Sequence, residues 1–112
     1  MPVRVEQLGL LLTGVAQQLS TALSANGLAI GDVPIRELLI QLRSTNANPV
    51  YVGTGSGVSA TAYGVRLPAP VAGLPSGPFL IGEFNDGTVQ LGDFWVIGTD
   101  TENLHLLVVR YV

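Results

Sequence analysis

Between residues 5 and 25, apolar residues recur at spacings of three and four positions. This periodicity predicts an amphipathic helix that ends at Asn26-Gly27, because glycine readily adopts the left-handed backbone that closes helices. The apolar face comprises Val5, Leu8, Leu12, Val15, Leu19 and Ala22. The same spacing is a heptad pattern, so the helix either packs on its own domain or associates with other copies of the chain.

After Gly27 the pattern changes, since glycine, proline and β-branched residues dominate and helical spacing does not recur. Short alternating runs bounded by turn residues predict strands. We predict strands at residues 35–43, 50–53, 58–67, 79–84, 88–91, 94–98 and 104–112. The expected fold is mainly β, a sandwich or jelly roll preceded by one N-terminal amphipathic helix. Residues 1–27 would form the helix and residues 28–112 the β-sandwich of a single globular unit.

Two segments between the strands are distinctive. Asn85-Asp86-Gly87 predicts a hairpin turn that pairs residues 79–84 with 88–91, because these residue types tolerate a positive φ. Residues 68–78 contain four prolines and cannot form a regular ladder, so they predict an extended arm or long loop. The arm is apolar, and it either covers the sandwich edge or lies on a neighbouring subunit. The final predicted strand should be tied into a sheet.

The composition narrows the classes of partner. Charged residues make up 12% of the chain and the mean hydropathy is +0.46, which suggests that part of the apolar surface meets another protein. The chain has five basic residues, all arginine, and eight acidic residues, so no basic stripe is available to bind nucleic acid. The longest apolar run is far shorter than a membrane span, and we expect synthesis in the cytoplasm without a secretory signal.

The residues that could carry chemistry form no catalytic constellation in the sequence. His105 is the only histidine and alternates with leucines in a predicted strand, and Ser56 and Ser59 lack the context of a nucleophile elbow. Residues 53–57 resemble a phosphate loop, but no lysine is present and no helix follows, so we interpret them as a turn. We expect no enzyme activity, no cofactor and no catalytic residue.

Acids and aromatic residues leave two further possibilities. Asp86, Asp93, Asp100 and Glu102 lie in predicted turns, where they are either solvated carboxylates or calcium ligands; we expect no metal site. Because Phe94 and Trp95 are adjacent in a predicted strand, they should point to opposite sides. Trp95 would then lie in the core or an interface, the alternative being a sugar-stacking platform with Tyr63.

Several short motifs resemble small virion proteins of tailed bacteriophages. They are Asn46-Ala-Asn-Pro-Val-Tyr-Val-Gly53, Val58-Ser59, Gly64-Val-Arg-Leu67 and Leu91-Gly-Asp-Phe-Trp-Val-Ile-Gly98, followed by the closing hydrophobic strand. The resemblance covers about residues 35–112. It implies a compact β domain in the phage particle, commonly a head decoration or cement protein or a fibre-like attachment. The arm is longer than in those proteins, and the N-terminal helix is not part of the pattern.

The resemblance and the composition together predict a non-enzymatic capsid decoration protein that binds between capsid subunits on the virion surface. Its partners would be the major capsid protein and other copies of itself, with a trimer expected from the symmetry of the shell. The alternative is a virion-attached binding module of the fibre or neck that recognises a glycan or receptor. The predicted interface residues lie on the helix, on the arm and at the tryptophan: Leu8, Leu12, Val15, Leu19, Pro68, Pro70, Leu74, Pro78 and Trp95.

Overall fold

Eight strands dominate the secondary structure in our computed structural model, which describes residues 2–25 and 31–112. The strands are β1 (Val3–Leu11), β2 (Gln17–Gln18), β3 (Ile35–Leu42), β4 (Val50–Gly53), β5 (Val65–Leu67), β6 (Ser76–Glu83), β7 (Trp95–Ile97) and β8 (Asn103–Tyr111). One α-helix, α1 (Leu19–Ala25), follows β2, and a 3-10 helix (Leu91–Asp93) precedes β7. The prediction of a mainly β chain is confirmed.

The strands form two antiparallel sheets of four strands each. The first sheet has the order β1-β8-β3-β6, and the second has the order β2-β7-β4-β5. β8 lies between β1 and β3, so the prediction that the last strand is tied into a sheet is confirmed. The two sheets share one hydrophobic core and form a sandwich-like architecture.

The core follows from the alternation of apolar residues in the longer strands. Every second side chain of a strand points to the same face, so one face of the first sheet is continuously apolar. Its buried residues are Leu8, Leu10 and Leu12 with Leu38, Ile40, Leu42, Leu104, Leu106 and Val108. The second sheet and the helix supply Leu19, Leu23, Val50, Val52, Leu67 and Val96. Burial of these side chains is the main force that holds the sheets together.

The predicted N-terminal helix over residues 5–25 is wrong in most of its length. Residues Val3–Leu11 form β1, and only Leu19–Ala25 are helical. Leu8 and Leu12 fit a helical spacing, but Leu10 between them fits only a period of two, and pairing with β8 along nine positions stabilises the strand. The helix stop predicted at Asn26-Gly27 and the boundary between 1–27 and 28–112 lie outside the described residues.

Two other predictions also change. The strand predicted over residues 58–67 is confined to β5, because residues 59–62 close a turn through an isolated bridge. The predicted hairpin of 79–84 with 88–91 is not formed: β6 pairs with β3, and the backbone N–H of Ile35 donates to Val89 O. Gly87 does have the positive φ expected of a turn residue, 77°. The chain leaves this turn toward the start of β3 and then enters the second sheet at β7.

Candidate functional site

The proline-rich arm presents an exposed apolar turn. Val71 and Leu74 form an isolated β-bridge, closed by a 3.1 Å hydrogen bond from Leu74 N to Val71 O. The two residues between them, Ala72 and Gly73, have φ values of 54° and 73°. Positive φ at both central positions is the geometry of a tight type I′ turn, and alanine in this region costs roughly 1 kcal/mol. We call residues 71–74 the apolar tip.

The side chains of the apolar tip face solvent. Val71 is 74% exposed and Leu74 is 65% exposed. Pro68 and Pro78 are exposed, while Pro70 is half-buried. The end of the predicted arm is more regular than expected, because Ser76 already begins β6. The tip is therefore a short, strained turn that carries two aliphatic side chains into water.

The four interface residues predicted on the helix lie in different places. Leu8, Leu12 and Leu19 are buried in the chain's own core, and Val15 is exposed in the turn between β1 and β2. They share no helix face, because Leu8 belongs to β1 and α1 begins only at Leu19. The surface available to a partner at this end of the chain is therefore not the predicted leucine stripe.

Trp95 lies in β7, half-buried at the edge of a cavity of about 350 Å³. The cavity is lined by Thr13, Ala16, Gln17, Gln18, Thr21, Ala22 and Trp95. Gln18 already donates to Gly92 O at 2.8 Å and accepts from the Thr21 hydroxyl at 2.8 Å. Its polar atoms thus hold the cavity wall in place. Phe94 packs against the core on Phe84, with ring centroids 5.8 Å apart.

Tyr63, the residue proposed to form a sugar-stacking platform with Trp95, packs against Tyr51. Their ring centroids are 5.0 Å apart and the ring planes are tilted by 46°. Tyr63 also borders an open cavity of about 530 Å³ with the glycine-rich turn at 53–57. This turn contains no helix, as the sequence predicted. The two tyrosines give the second sheet an aromatic outer patch.

The outer face of the first sheet carries both exposed aliphatic and polar side chains. The strand register aligns Gln7, Leu107, Leu39 and Leu80 in one row across all four strands. Leu80 and Leu107 are exposed aliphatic residues in this row. Beside them, His105 is exposed in a shallow groove of about 260 Å³. The histidine thus lies on an open sheet face.

Ser59, Asp86 and Asp93 make hydrogen bonds within their own local turns. The Ser59 hydroxyl accepts from Ala62 N at 3.1 Å, which closes the turn before β5. Asp93 accepts from Gln90 N at 2.8 Å at the start of the 3-10 helix. Asp86 accepts from both the hydroxyl and the N–H of Thr88, and these bonds lower the pKa of Asp86 below its ordinary value of 3.8. Within the described chain, no group of three His, Asp or Glu side chains could hold a metal ion.

Sequence reasoning missed the role of Asn46. Its side chain is buried, and its amide donates to Asn103 O at 2.7 Å while its carbonyl accepts from Asn103 N at 3.1 Å. Glu102, which directly precedes Asn103, accepts from Ala47 N at 2.6 Å. These bonds tie the turn before β4 to the start of β8. The signal was present in the Asn-x-x-Pro motif, but the residue's partner is 57 positions away.

Comparisons with protein families, curated proteins and solved structures find no match to this chain. In residues 2–25 and 31–112, neither helix has the length and hydrophobicity needed to cross a membrane. The proposed function is therefore based on the geometry of the chain's own surfaces. Those surfaces are the apolar tip, the outer face of the first sheet and the cavity beside Trp95.

Proposed function

We propose that this chain is a structural protein of a tailed-phage virion, located on the capsid surface, where it binds the major capsid protein between subunits. The proposed role is non-enzymatic: the chain acts by burying part of its surface against the capsid protein. It is supported by the resemblance of residues 35–112 to small virion proteins and by the strand order of the two sheets.

The strand order is the observation that carries the proposal. We propose that the sandwich is a jelly roll, a fold of eight strands in two sheets that recurs in viral capsid proteins and lectins. The orders β1-β8-β3-β6 and β2-β7-β4-β5 support this. Their neighbours include the pairs β1 with β8, β2 with β7, β3 with β6 and β4 with β5, which is the pairing of one long antiparallel hairpin folded across two sheets. Fold alone does not define function, so the contact surface has to supply the rest of the argument.

The apolar tip is the proposed contact with the capsid. Burying a whole valine or leucine side chain contributes about 1.5–3 kcal/mol, so the exposed fractions of Val71 and Leu74 would contribute about 1–2 kcal/mol each. The tight turn holds both side chains in one orientation before binding, which reduces the entropy lost on docking. A ligand that binds only the assembled shell stabilises that shell by mass action.

The test uses capsids that lack this protein. Adding the purified chain should raise the melting temperature of the shells, and the chain should sediment with them. Leu74→Asp should weaken binding at least about tenfold, since it removes apolar contact and places a charge in the interface. Val112→Asp is the matched control, because Val112 is 71% exposed and lies outside the arm. No binding of the unmodified chain would refute the capsid role.

A second candidate function is recognition of a glycan by a virion-attached module. The cavity beside Trp95 favours it, because an aromatic face bordered by threonine and glutamine side chains is suited to a sugar ring. Thermal unfolding in the presence of a panel of sugars tests this reading. A sugar that raises the midpoint for the unmodified chain but not for Trp95→Ala would support it, and no shift with any sugar would count against it.

A further inference from the structure

β1 is an edge strand of the first sheet, with β8 on one side. The hydrogen-bonding phase of this pair is fixed at both ends: Val112 N donates to Pro2 O, and Leu12 N donates to Glu102 O. Because the register is continuous between these ends, even-numbered residues of β1 direct their N–H and C=O groups toward β8. The odd-numbered residues direct theirs to the open edge: Val3, Val5, Gln7, Gly9 and Leu11.

Most of this edge has no partner in the described chain. Among residues 2–25 and 31–112, no hydrogen bond reaches the outward backbone groups of Val3, Val5, Gln7 or Gly9. At Leu11 the edge is closed, because the Gln17 amide donates to Leu11 O at 3.3 Å. A long open edge is a template for strand addition, and natural proteins usually protect such edges with prolines, bulges or charged side chains. Between Val3 and Leu11, β1 has no proline or bulge, and its charged residues are Arg4 and Glu6.

We propose that β1 pairs with β1 of a second copy, antiparallel and about a two-fold axis at Val5, so that the first sheet continues across two molecules. The partner is another copy because the edge is complementary to itself. Val5 is 58% exposed and would face Val5 of the second copy on the outer side of the joined sheet. The inference does not depend on the capsid role proposed above.

The charges of the strand select the position of the axis. An axis at Arg4 would oppose two arginines, and an axis at Glu6 would oppose two glutamates, both unfavourable arrangements. An axis at Val5 places Arg4 opposite Glu6 of the second copy, twice, in the closely spaced positions where side chains approach most. Within one chain the Glu6 carboxylate already lies 3.2 Å from Arg110 Nε and 4.0 Å from Arg4 Nε, so in the dimer Arg4 would contact Glu6 of the second copy in addition to these ion pairs.

The hydrogen bond at Leu11, at the end of β1, excludes the main alternative register, which has its two-fold axis at Gln7. An axis at Gln7 would pair Val3 with Leu11 of the second copy, but the carbonyl of Leu11 is already occupied by Gln17. That register would also place Arg4 opposite a leucine. With the axis at Val5, only residues 3, 5 and 7 are needed, and they form about six backbone hydrogen bonds across the axis. Such a short seam gives a dimer that dissociates on dilution.

The chain contains no cysteine, so single cysteines can report the register. With the axis at Val5, the two copies of this residue form a hydrogen-bonded pair with Cα atoms about 5.5 Å apart, within disulfide range. The two copies of position 7 would lie four residues apart along the seam, about 14 Å. Val5→Cys should therefore oxidise to a covalent dimer of twice 11.7 kDa, whereas Gln7→Cys, the matched control, should not.

Light scattering on the unmodified chain provides the second measurement. We expect the mass to rise with concentration from 11.7 kDa to twice that value. Val5→Pro should abolish this rise and leave circular dichroism unchanged, because proline is tolerated where the N–H points away from the sheet. Arg4→Glu should also be monomeric, and mixing it with Glu6→Arg should restore a dimer of the two variants.

Any one of these results would overturn the inference: a mass of 11.7 kDa at every concentration, cross-linking of Gln7→Cys as efficient as that of Val5→Cys, or dimerisation unaffected by Val5→Pro. A stable trimer, as expected from shell symmetry, would overturn it too. A monomeric chain that still binds capsids would refute the strand pairing and leave the capsid role standing. A dimer that does not bind capsids would refute the capsid role and leave the strand pairing standing.

Discussion

Leu10 and Leu11 are adjacent residues of identical chemistry that lie on opposite faces of β1. Leu10 is 1% exposed and faces Leu104 across the ladder, whereas Leu11 is 48% exposed. In a strand these neighbours must differ in burial, while a helix would place them only about 100° apart. Replacing each with alanine therefore tests the strand assignment of the N-terminal segment directly.

The expected magnitudes are well separated. Leucine to alanine in a packed core costs about 2–5 kcal/mol, because the lost transfer free energy adds to that of the cavity left behind. We expect Leu10→Ala to lower the free energy of unfolding by about 3 kcal/mol, a large share of the roughly 5–15 kcal/mol typical of a domain. Leu11→Ala removes a side chain that is half in water, and should cost less than about 1 kcal/mol.

Urea unfolding monitored by circular dichroism is the assay. A lower midpoint at constant slope reports a change in stability without a change in the surface exposed on unfolding. Val15→Ala provides a further control, since Val15 is on the apolar face of the predicted helix but 63% exposed in the structure. The reasoning would be refuted if Val15→Ala or Leu11→Ala destabilised the chain as much as Leu10→Ala.

Three further predictions follow from polar bonds and close packing. Asn46→Ala should cost about 1–3 kcal/mol in urea unfolding, because it leaves the half-buried Asn103 N–H of β8 without its partner and removes one of the two donors to Asn103 O; a loss below about 0.5 kcal/mol would contradict this. Gly98→Ala should cost about 1–3 kcal/mol, since its Cβ would lie 2.6 Å from Leu12 Cδ1, and an unchanged midpoint would show that the core adjusts freely. Thr88→Val should raise the pKa of Asp86 toward 3.8 in an NMR titration, and an unchanged value would contradict the assigned cause. Because the folded pKa of Asp86 is lowered, its contribution to stability is present above the ordinary pKa and lost as pH falls through the lowered one.

Local sequence was sufficient where alternation and turn residues agreed. The predicted strand at 50–53 coincides with β4, and those at 35–43 and 104–112 match β3 and β8 to within one residue at each end. Val50 and Val52 alternate with less buried residues between Pro49 and Gly53, and Pro34 directly precedes the apolar run of β3. The sequence also indicated that the proline-rich arm leaves the regular sheet, which is correct for residues 68–75 and wrong from Ser76, where β6 begins, and it did not indicate that the tip closes as a strained turn.

The candidate surfaces were only partly accessible to such reasoning. Leu74 was identified from the apolar character of the arm, and its exposure follows from the turn at Ala72-Gly73. The open edge of β1 could not be foreseen, because the segment was interpreted as a helix. Asn46 was visible within a motif, yet its function depends on a backbone segment 57 residues away. Pairwise contacts over such separations leave no local trace in a single sequence.

The sequence by itself determined that this chain is mainly β, because most of its apolar residues alternate and its turn residues are frequent. Only the tertiary structure decided the N-terminal segment, where Leu8 and Leu12 fit a helical spacing while Leu8, Leu10 and Leu12 together fit a period of two. A nine-residue ladder with β8 and burial of those leucines against the second sheet stabilise the strand there. Intrinsic propensity differences amount to only a few tenths of a kcal/mol per residue, so long-range pairing outweighs them.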